Sequence, residues 1–444
     1  METQFFERNV KIDPNIASEI LPRLRNIRDL KRLLRHNSQG NVSRFVDIIM
    51  GGAIALRASD VHIEPEVDKA SLRIRIDGVL QVVDALPYDL YQKIVSRIKF
   101  LAKLKLNITK KAQDGRFGID FEHEGREIEI RTSALPSSYG ETIVMRILDP
   151  IALIDIEALG MRPDLHQDIL EELKKPNGMI LLTGPTGSGK TTTLYAFLKK
   201  LNEPGIKIIT IEDPIEYQIT GLSQTQVDEK QGYDFAKGLS AIVRQDPDVI
   251  LVGEIRDYET AHIALQASMT GHLVFSTVHT NDAAGTIARL EALGEEAHNI
   301  APALNVAIAQ RLIRRICPEC GQLQEPKPED FKELKEGLSS LPDRIQVPEL
   351  NEETKIYYAN PGGCRYCNFT GYRGRIGVFE AFFVDDEMEE FVQQSPSIPA
   401  LRRKAIDKGM VLMYHDGLIR IMNKISTLEE IHRVTARVKL NEKN

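Results

Sequence analysis

Cysteine is scarce in this chain: four among 444 residues, and these fall in two CxxC pairs. A framework of scattered disulfides is thereby excluded, and paired spacing in a reducing compartment points to a bound metal. Long apolar runs are also missing. The longest, Phe45 to Leu56, contains Asp47 and two glycines and is too short to span a bilayer. The opening residues METQFFERNVKIDP hold no apolar core of the kind that marks a secretory signal. Nor is there a basic excess: 57 Lys and Arg against 64 Asp and Glu leave a formal charge of −7, which argues against a chain that coats nucleic acid. No internal repeat, low-complexity tract or aromatic–basic stripe is present. The expectation is a cytoplasmic protein, free or peripherally attached to the inner face of the membrane.

With 42% hydrophobic and 27% charged residues the composition is that of a soluble globular protein, and the length calls for two to four domains. Ala17 to Arg35 carries Ile20, Leu24, Ile27, Leu30 and Leu34 at helical spacing among six basic residues, interrupted early by Pro22. This predicts a basic helical extension over 1–40. It is either a docking segment for an anionic membrane or partner, or a helix packed on its own domain with a solvated basic face; the second is the simpler reading. From 41 to 150, short alternating runs such as Leu72-Arg73-Ile74-Arg75-Ile76 before an Asp77-Gly78 turn predict an α+β domain. Residues 151–176 read as a linker and entry helix. Strand and helix patterns alternate over 177–315, with strands near 179–183, 207–211, 249–252 and 273–277, and predict a parallel α/β sheet. A cysteine-bearing segment covers 316–376, and a helical region closes the chain over 377–444, with Leu401, Ala405, Met410, Leu418, Ile421 and Met422 as its core.

The apolar run Met179–Leu182 feeds Gly184-Pro185-Thr186-Gly187-Ser188-Gly189-Lys190-Thr191-Thr192, which matches the P-loop pattern. Its glycines let backbone N–H groups curl around phosphate, the following helix offers its positive end, Lys190 reaches the β- and γ-phosphates, and Thr191 is placed for Mg²⁺. The expected substrate is therefore MgATP or a similar triphosphate. Hydrolysis needs a carboxylate at the end of a strand beside the P-loop strand, and Glu254 after Val249–Val252 supplies one. Gly253 stands where an Asp is usual, so Mg²⁺ is expected to draw on another acidic group: Glu212, Asp213 and Glu216 after the preceding strand. His272 and His279 lie at opposite ends of a further strand.

Forty-three residues separate Cys320 from Cys364. Cys317, Cys320, Cys364 and Cys367 give four thiolates, enough for a closed structural Zn²⁺ site; a redox dithiol pair and an iron–sulfur cluster are the competing readings.

GPTGSGKTT, TIEDPIEY, RQDPDVILVGEIRD and GHLVFSTVHTND, in this order, resemble the four signature boxes of the GspE/PilB-type secretion ATPase family, which powers type II secretion and type IV pilus movement. ASDVHIEP, LRIRIDG, QDGRF and LPSSYGETIVMRIL upstream, with QRLIRRIC and GYRGRIGVFE downstream, extend the likeness over roughly 45 to 385. The resemblance implies an α/β fold: a RecA-like P-loop domain, a smaller N-terminal α+β (PAS-like) domain and a tetracysteine zinc insert. It implies Glu254 as the catalytic glutamate, Glu212, Asp213 and Glu216 as an acidic box, and His272 and His279 as a histidine box. Arg131 and Arg146 resemble arginines that reach a phosphate from another domain or subunit, and Arg244 matches a further one, while Ser240 replaces a second. The implied activity is ATP hydrolysis by a hexamer that drives an inner-membrane platform protein, with a membrane-bound adaptor as a possible partner. The tetracysteine insert favours a secretion or assembly motor over a retraction motor. Rival functions are a DNA-translocating or conjugation-type ATPase and a nucleotide switch that does not hydrolyse.

Overall fold

The computed structural model describes residues 9–12, 16, 21–37, 40–121, 126–149 and 154–435. They form two compact units: Met1–Ala152 with Cys317–Cys320 and Ala359–Gly374, and Leu153–Ile316 with Gly321–Tyr358 and Arg375–Asn444. The cysteine-bearing stretch is thus shared, its two knuckles grouping with the N-terminal unit and the sequence between them with the other.

The N-terminal unit runs β1 (Asn9–Lys11), α1 (Ile27–His36), α2 (Val42–Ala55), β2 (Ala58–Pro65), β3 (Lys69–Ile76), β4 (Val79–Pro87), α3 (Tyr88–Leu101), β5 (Gln113–Phe121), β6 (Arg126–Ser137) and β7 (Gly140–Leu148). The strands form one sheet in the order β1-β5-β6-β7-β2-β3-β4, antiparallel except for β1 on β5. Period-two patterning divides its faces: Leu72, Ile74, Ile128, Ile130, Ile143 and Met145 are buried on one, and Arg73, Arg75, Arg131 and Arg146 stand on the other. Asp77 (φ 49°) and Gly78 (φ 81°) close the β3–β4 hairpin with the two positive φ angles of a type I′ turn.

The predicted basic helix starts later than its periodicity suggests. Pro22 lies in a short 3₁₀ turn, Leu21–Arg23, and α1 begins at Ile27, where Asn26 Oδ1 accepts from the N–H groups of Arg28 and Asp29. Ala17 to Ile20 lie outside the described residues. Ile27, Leu30 and Leu34 are buried in the unit's own core, which leaves the basic residues facing outward.

The second unit runs α4 (Pro163–Glu172), β8 (Gly178–Thr183), α5 (Lys190–Leu201), β9 (Ile208–Glu212), β10 (Ser223–Gln226), α6 (Phe235–Ile242), β11 (Val249–Val252), α7 (Tyr258–Met269), β12 (Leu273–Val278), α8 (Gly285–Leu293), α9 (Ala297–Ala303) and β13 (Leu304–Ile316). It continues through β14 (Gln322–Gln324), α10 (Pro328–Leu338), β15 (Ile356–Tyr358), β16 (Tyr372–Phe383), α11 (Asp386–Val392), α12 (Ile398–Asp407), α13 (Met413–Met422) and α14 (Leu428–Val434). Its sheet has the order β10-β9-β11-β12-β8-β13-β16, and the strand pairs from β10 through β13 are all parallel. Every residue of β8, β11 and β12 is buried, as befits strands covered on both faces. This order corrects one expectation: the strand leading to Glu254 is not beside the P-loop strand, because β12 lies between them. An apolar run marks a buried strand but carries no information about its neighbours.

Leu401, Ala405, Leu418, Ile421 and Met422 are buried in the C-terminal helices, and Met410 is buried in the connection between α12 and α13. Among them sits His415, buried on α13 with Nε2 3.2 Å from Ser340 Oγ. Burial pushes its pKa down from 6.5 to about 4. Because the folded-state pKa is depressed, the neutral ring supports folding fully above pH 6.5, and that support is lost as pH falls toward 4, a change of about 3 kcal/mol at most. His415→Gln is expected to flatten the fall in urea midpoint across this window; an unchanged pH profile would place the acid sensitivity elsewhere.

Candidate functional site

Beyond Thr183 the chain turns through Gly184 (φ 143°), Gly187 (φ 79°) and Gly189 (φ 92°) into α5, whose first residue is Lys190. A Cβ at Gly184 would lie 2.5 Å from the carbonyl oxygen of Gln310 on β13, so glycine is required there by close approach as well as by φ. Gln310 is buried, and its Oε1 accepts from Thr193 Oγ1 at 2.8 Å, which ties α5 to β13. Lys190 Nζ donates to the carbonyl of Gly184 at 2.8 Å, folding back over the loop that would hold phosphate. Burial lowers the Lys190 pKa, and the charge of Glu254 acts in the opposite direction. The Ser188 hydroxyl is buried with no hydrogen-bond partner among the described residues, while Pro185, Thr186 and Thr191 are exposed and Thr192 is half-buried. The arrangement fits a phosphate chain: positive-φ amides, an orphan hydroxyl, a helix start with no side-chain cap, and a cation.

Glu254 follows β11. Its carboxylate pairs with Arg256, and its Oε2 lies 3.4 Å from His279 Nε2 at the end of β12. The pair with Glu254 raises the Arg256 pKa, with Asp213 and Glu229 adding to the effect. Gly253 is crowded against β9: a Cβ there would be 3.3 Å from both Glu212 Cα and the Ile211 carbonyl oxygen. A side chain in its place would be tight against β9, which would have to give by a few tenths of an ångström.

The acidic box divides. Glu212 is buried; its carboxylate accepts from Tyr195 Oη, from Thr210 Oγ1 at 2.6 Å and from Gln224 Nε2 at 3.3 Å. Desolvation raises its pKa above the usual carboxylate range against the pull of these donors. Glu212 therefore anchors α5, which carries Tyr195, to the end of β9. Asp213 is exposed and Glu216 half-buried. Arg244 is exposed in the turn after α6. His272 does not join His279: it precedes β12, Nδ1 lies 3.0 Å from the Ala267 carbonyl, and the six residues of β12, a strand of about 20 Å, lie between the two positions.

Several participants were not singled out from sequence. Arg256 lies inside the quoted RQDPDVILVGEIRD box, two residues past Glu254. Thr183, the last residue of β8, accepts at Oγ1 from the Thr280 N–H at 2.8 Å and lies 2.7 Å from Thr280 Oγ1. Thr277 Oγ1 donates to the Gly253 carbonyl at 2.9 Å. These bonds lock β12 between the phosphate loop and the glutamate loop. Further out, the buried Glu380 accepts from Ala283 N at 2.9 Å and Met413 N at 3.0 Å, which joins the segment after His279 to the start of α13.

In the N-terminal unit, Arg131 and Arg146 are direct cross-strand partners. The same row continues to Arg116 on β5 and, through Asp60 on β2, to Arg75 on β3. Asp60 lies 3.2 Å from Arg146 and 3.3 Å from Arg75, and Glu129 lies 3.3 Å from Arg131 and 3.8 Å from Arg116. Four arginines thus share two carboxylates along one line. Arg116 belongs to the QDGRF run, and only the strand register reveals that it is in line with the other two.

Cys317, Cys320, Cys364 and Cys367 converge, with their Sγ atoms all within 4.8 Å of one another. Cys317 to Cys364 and Cys320 to Cys367 are each 3.8 Å, about the sulfur–sulfur edge of a tetrahedron with Zn–S bonds near 2.3 Å. The pKa of Cys367 is about 7: burial would raise it, but the N–H groups of Cys364 and Gly371 donate to Sγ at 3.0 and 3.2 Å and favour the thiolate. The donor set suits a soft divalent metal. The antiparallel β14–β15 ribbon brings the two ends of the intervening insert side by side, so a long gap is compatible with one compact cluster.

Thr183→Val removes the acceptor for the Thr280 N–H at almost constant volume. It is expected to lower the stability of the second unit by about 1–3 kcal/mol in urea unfolding, whereas a change within error would show that the lock contributes nothing.

Comparison with known proteins agrees with this geometry. The family described as Type II/IV secretion system protein matches residues 35–433. Type II secretion system protein E of Dickeya dadantii is 42% identical over 408 residues, covering 92% of this chain and 78% of that protein. Type II secretion system ATPase E of Vibrio cholerae is 44% identical over 404 residues, covering 91% and 77%. The ATPase DotB of Legionella pneumophila superposes with a TM-score of 0.62 at 20% identity, over 88% of this chain and 95% of its own. The pilus retraction motor PilT with bound ADP does so with a TM-score of 0.58 at 25% identity, over 88% and 96%. The fold is accordingly a RecA-like α/β ATPase domain with a smaller α+β domain and a four-cysteine cluster, and the chain belongs to the type II/IV secretion system protein family, as one of its P-loop ATPases.

Proposed function

We propose that this chain is the motor ATPase of a type II secretion or type IV pilus assembly machine, working as a hexamer on the cytoplasmic face of the inner membrane. The observation that carries the reading is the placement of Lys190, Glu254 and His279 beyond the same ends of parallel strands β8, β11 and β12. A phosphate chain entering the Gly184–Thr192 loop draws Lys190 Nζ off the Gly184 carbonyl. Thr191 would hold Mg²⁺, which neutralises phosphate charge when bound. Glu254, aimed by Arg256 and His279, orients and deprotonates the attacking water. Asp213 and Glu216 are the remaining acids for the metal's water shell, whereas Glu212 acts through Tyr195 as a positioning residue. Arg131 and Arg146, with Arg116 in their row, stabilise charge on the γ-phosphoryl group when subunits assemble, a contribution of about 10³ to 10⁵ in rate. Arg244, exposed after α6, is a further arginine for phosphate charge, and His272 is assigned to movement between elements rather than to the phosphates. No helix of the described residues is long and apolar enough to cross a membrane. Force would then pass by contact to an inner-membrane platform protein, with a membrane-bound adaptor holding the motor in place.

Glu254→Gln is expected to lower ATP turnover by about 10² to 10⁴ while a fluorescent ATP analogue still binds. Turnover near that of the unaltered protein would remove Glu254 from the catalytic role. The four cysteines are assigned to one structural Zn²⁺. Elemental analysis of protein purified without chelators should give one zinc per chain, and Cys364→Ser should lose it; iron, or no metal at all, would defeat the assignment.

A further inference from the structure

The basic face of α1 is not simply solvated. Within the N-terminal unit it forms one wall of an open cleft of about 620 Å³, whose other walls are Val82 on β4 and Phe369 beside the second cysteine knuckle. Among the described residues the lining includes Arg28, Lys31, Arg32 and Arg35 and no carboxylate. Six of the fourteen residues from Arg23 to His36 are Arg or Lys and one is Asp, in a chain whose net charge is −7. The cleft is therefore a concentrated positive site on an otherwise acidic protein. It also carries apolar surface: Val82 is 63% exposed, and Phe369 is half-buried with the Arg28 guanidinium 3.6 Å above its ring. Asp84 partly occupies Arg35 and Lys31, at 2.8 and 3.3 Å, and Asp29 partly occupies Arg32 at 3.0 Å. Arg32 and Arg35 remain largely open to solvent, 72% and 64% exposed.

The knuckle builds this cleft. Asn368 (φ 50°) and Phe369 (φ 63°) follow Cys367 in the left-handed region. That bend turns Asn368 Oδ1 toward the start of α1, where it accepts from the Ile27 N–H at 2.8 Å. The N-terminus of α1 is thus seated on the loop that the four thiols close.

We propose that this cleft is a docking site for an acidic, amphipathic protein segment, whose carboxylates meet Arg28, Lys31, Arg32 and Arg35 while an apolar side chain sits on Val82 and Phe369. A concave wall with an aromatic anchor suits a peptide chain; a planar anionic bilayer would meet the rim arginines but not the floor. The cleft is lined by residues of the N-terminal unit, and none of them belongs to the phosphate loop. Closure of the knuckle by metal sets its third wall.

The probe is a fluorescein-labelled helical peptide of Glu and Leu, titrated into the full chain without nucleotide and followed by anisotropy. The unaltered protein should bind it in a salt-dependent manner. The double variant Arg28→Glu/Arg32→Glu and, separately, Val82→Asp should each weaken binding by about ten-fold or more with ATPase activity unchanged. Chelation should weaken peptide binding and raise hydrogen exchange at the first amides of α1. Absence of binding, or equal binding by the charge-reversed variant, would overturn the proposal. So would cosedimentation with phosphatidylglycerol vesicles that the double variant loses while the peptide does not bind, since that outcome assigns the face to lipid.

Discussion

The nucleotide end of the second unit depends on β12 being wedged between β8 and β11. Its two flanks are fastened separately, with Thr183 holding Thr280 on one side and Thr277 holding the Gly253 carbonyl on the other. Because all three strands are parallel and buried, their C-terminal ends emerge together, and the loops that follow them have nowhere to go but over one another. The phosphate loop, Glu254 and His279 are therefore brought together by the sheet, and the 3.4 Å contact of Glu254 with His279 adds to that placement. Further out, Glu380 accepts from both Ala283 N and Met413 N and so links the segment after His279 to the start of α13.

The cysteine knuckles raise a different constraint. The insert between them packs with the ATPase unit, whereas the knuckles and α1 belong to the N-terminal unit. Four thiols in a small loop have little apolar material to hold them, so a bound metal would supply the cohesion that a core supplies elsewhere. An ion that orders this loop also orders whatever rests on it, and here that is the N-terminus of a basic helix.

The sequence made some features plain because they are local. Gly184, Gly187 and Gly189 announce a backbone that other residues resist, and fully apolar runs announce strands buried on both faces. The Asp77-Gly78 hairpin and the core of the C-terminal helices were legible for the same reason. Other features were not. Nothing in Thr210-Ile211-Glu212 says that the carboxylate turns inward to Tyr195, since a strand end is compatible with either direction. Arg256 was hidden by its ordinary appearance two residues after the glutamate it pairs with. Glycine at 253 looked like a missing metal ligand; the structure shows a position where a side chain would be tight against β9, with a Cβ 3.3 Å from Glu212 Cα and the Ile211 carbonyl oxygen.

What the sequence determined by itself is the chemistry available: a phosphate loop, a glutamate after an apolar strand, four thiols in two pairs and a strongly basic helix. These follow from residue types at short spacing, where backbone geometry and side-chain periodicity act directly. What only the tertiary structure decided is who stands next to whom. Strand order placed β12 beside the P-loop strand, register aligned Arg116 with Arg131 and Arg146, and packing gave the cysteine knuckles to α1. Such neighbours are chosen by burial and hydrogen bonding between segments far apart in the chain, which no local pattern encodes.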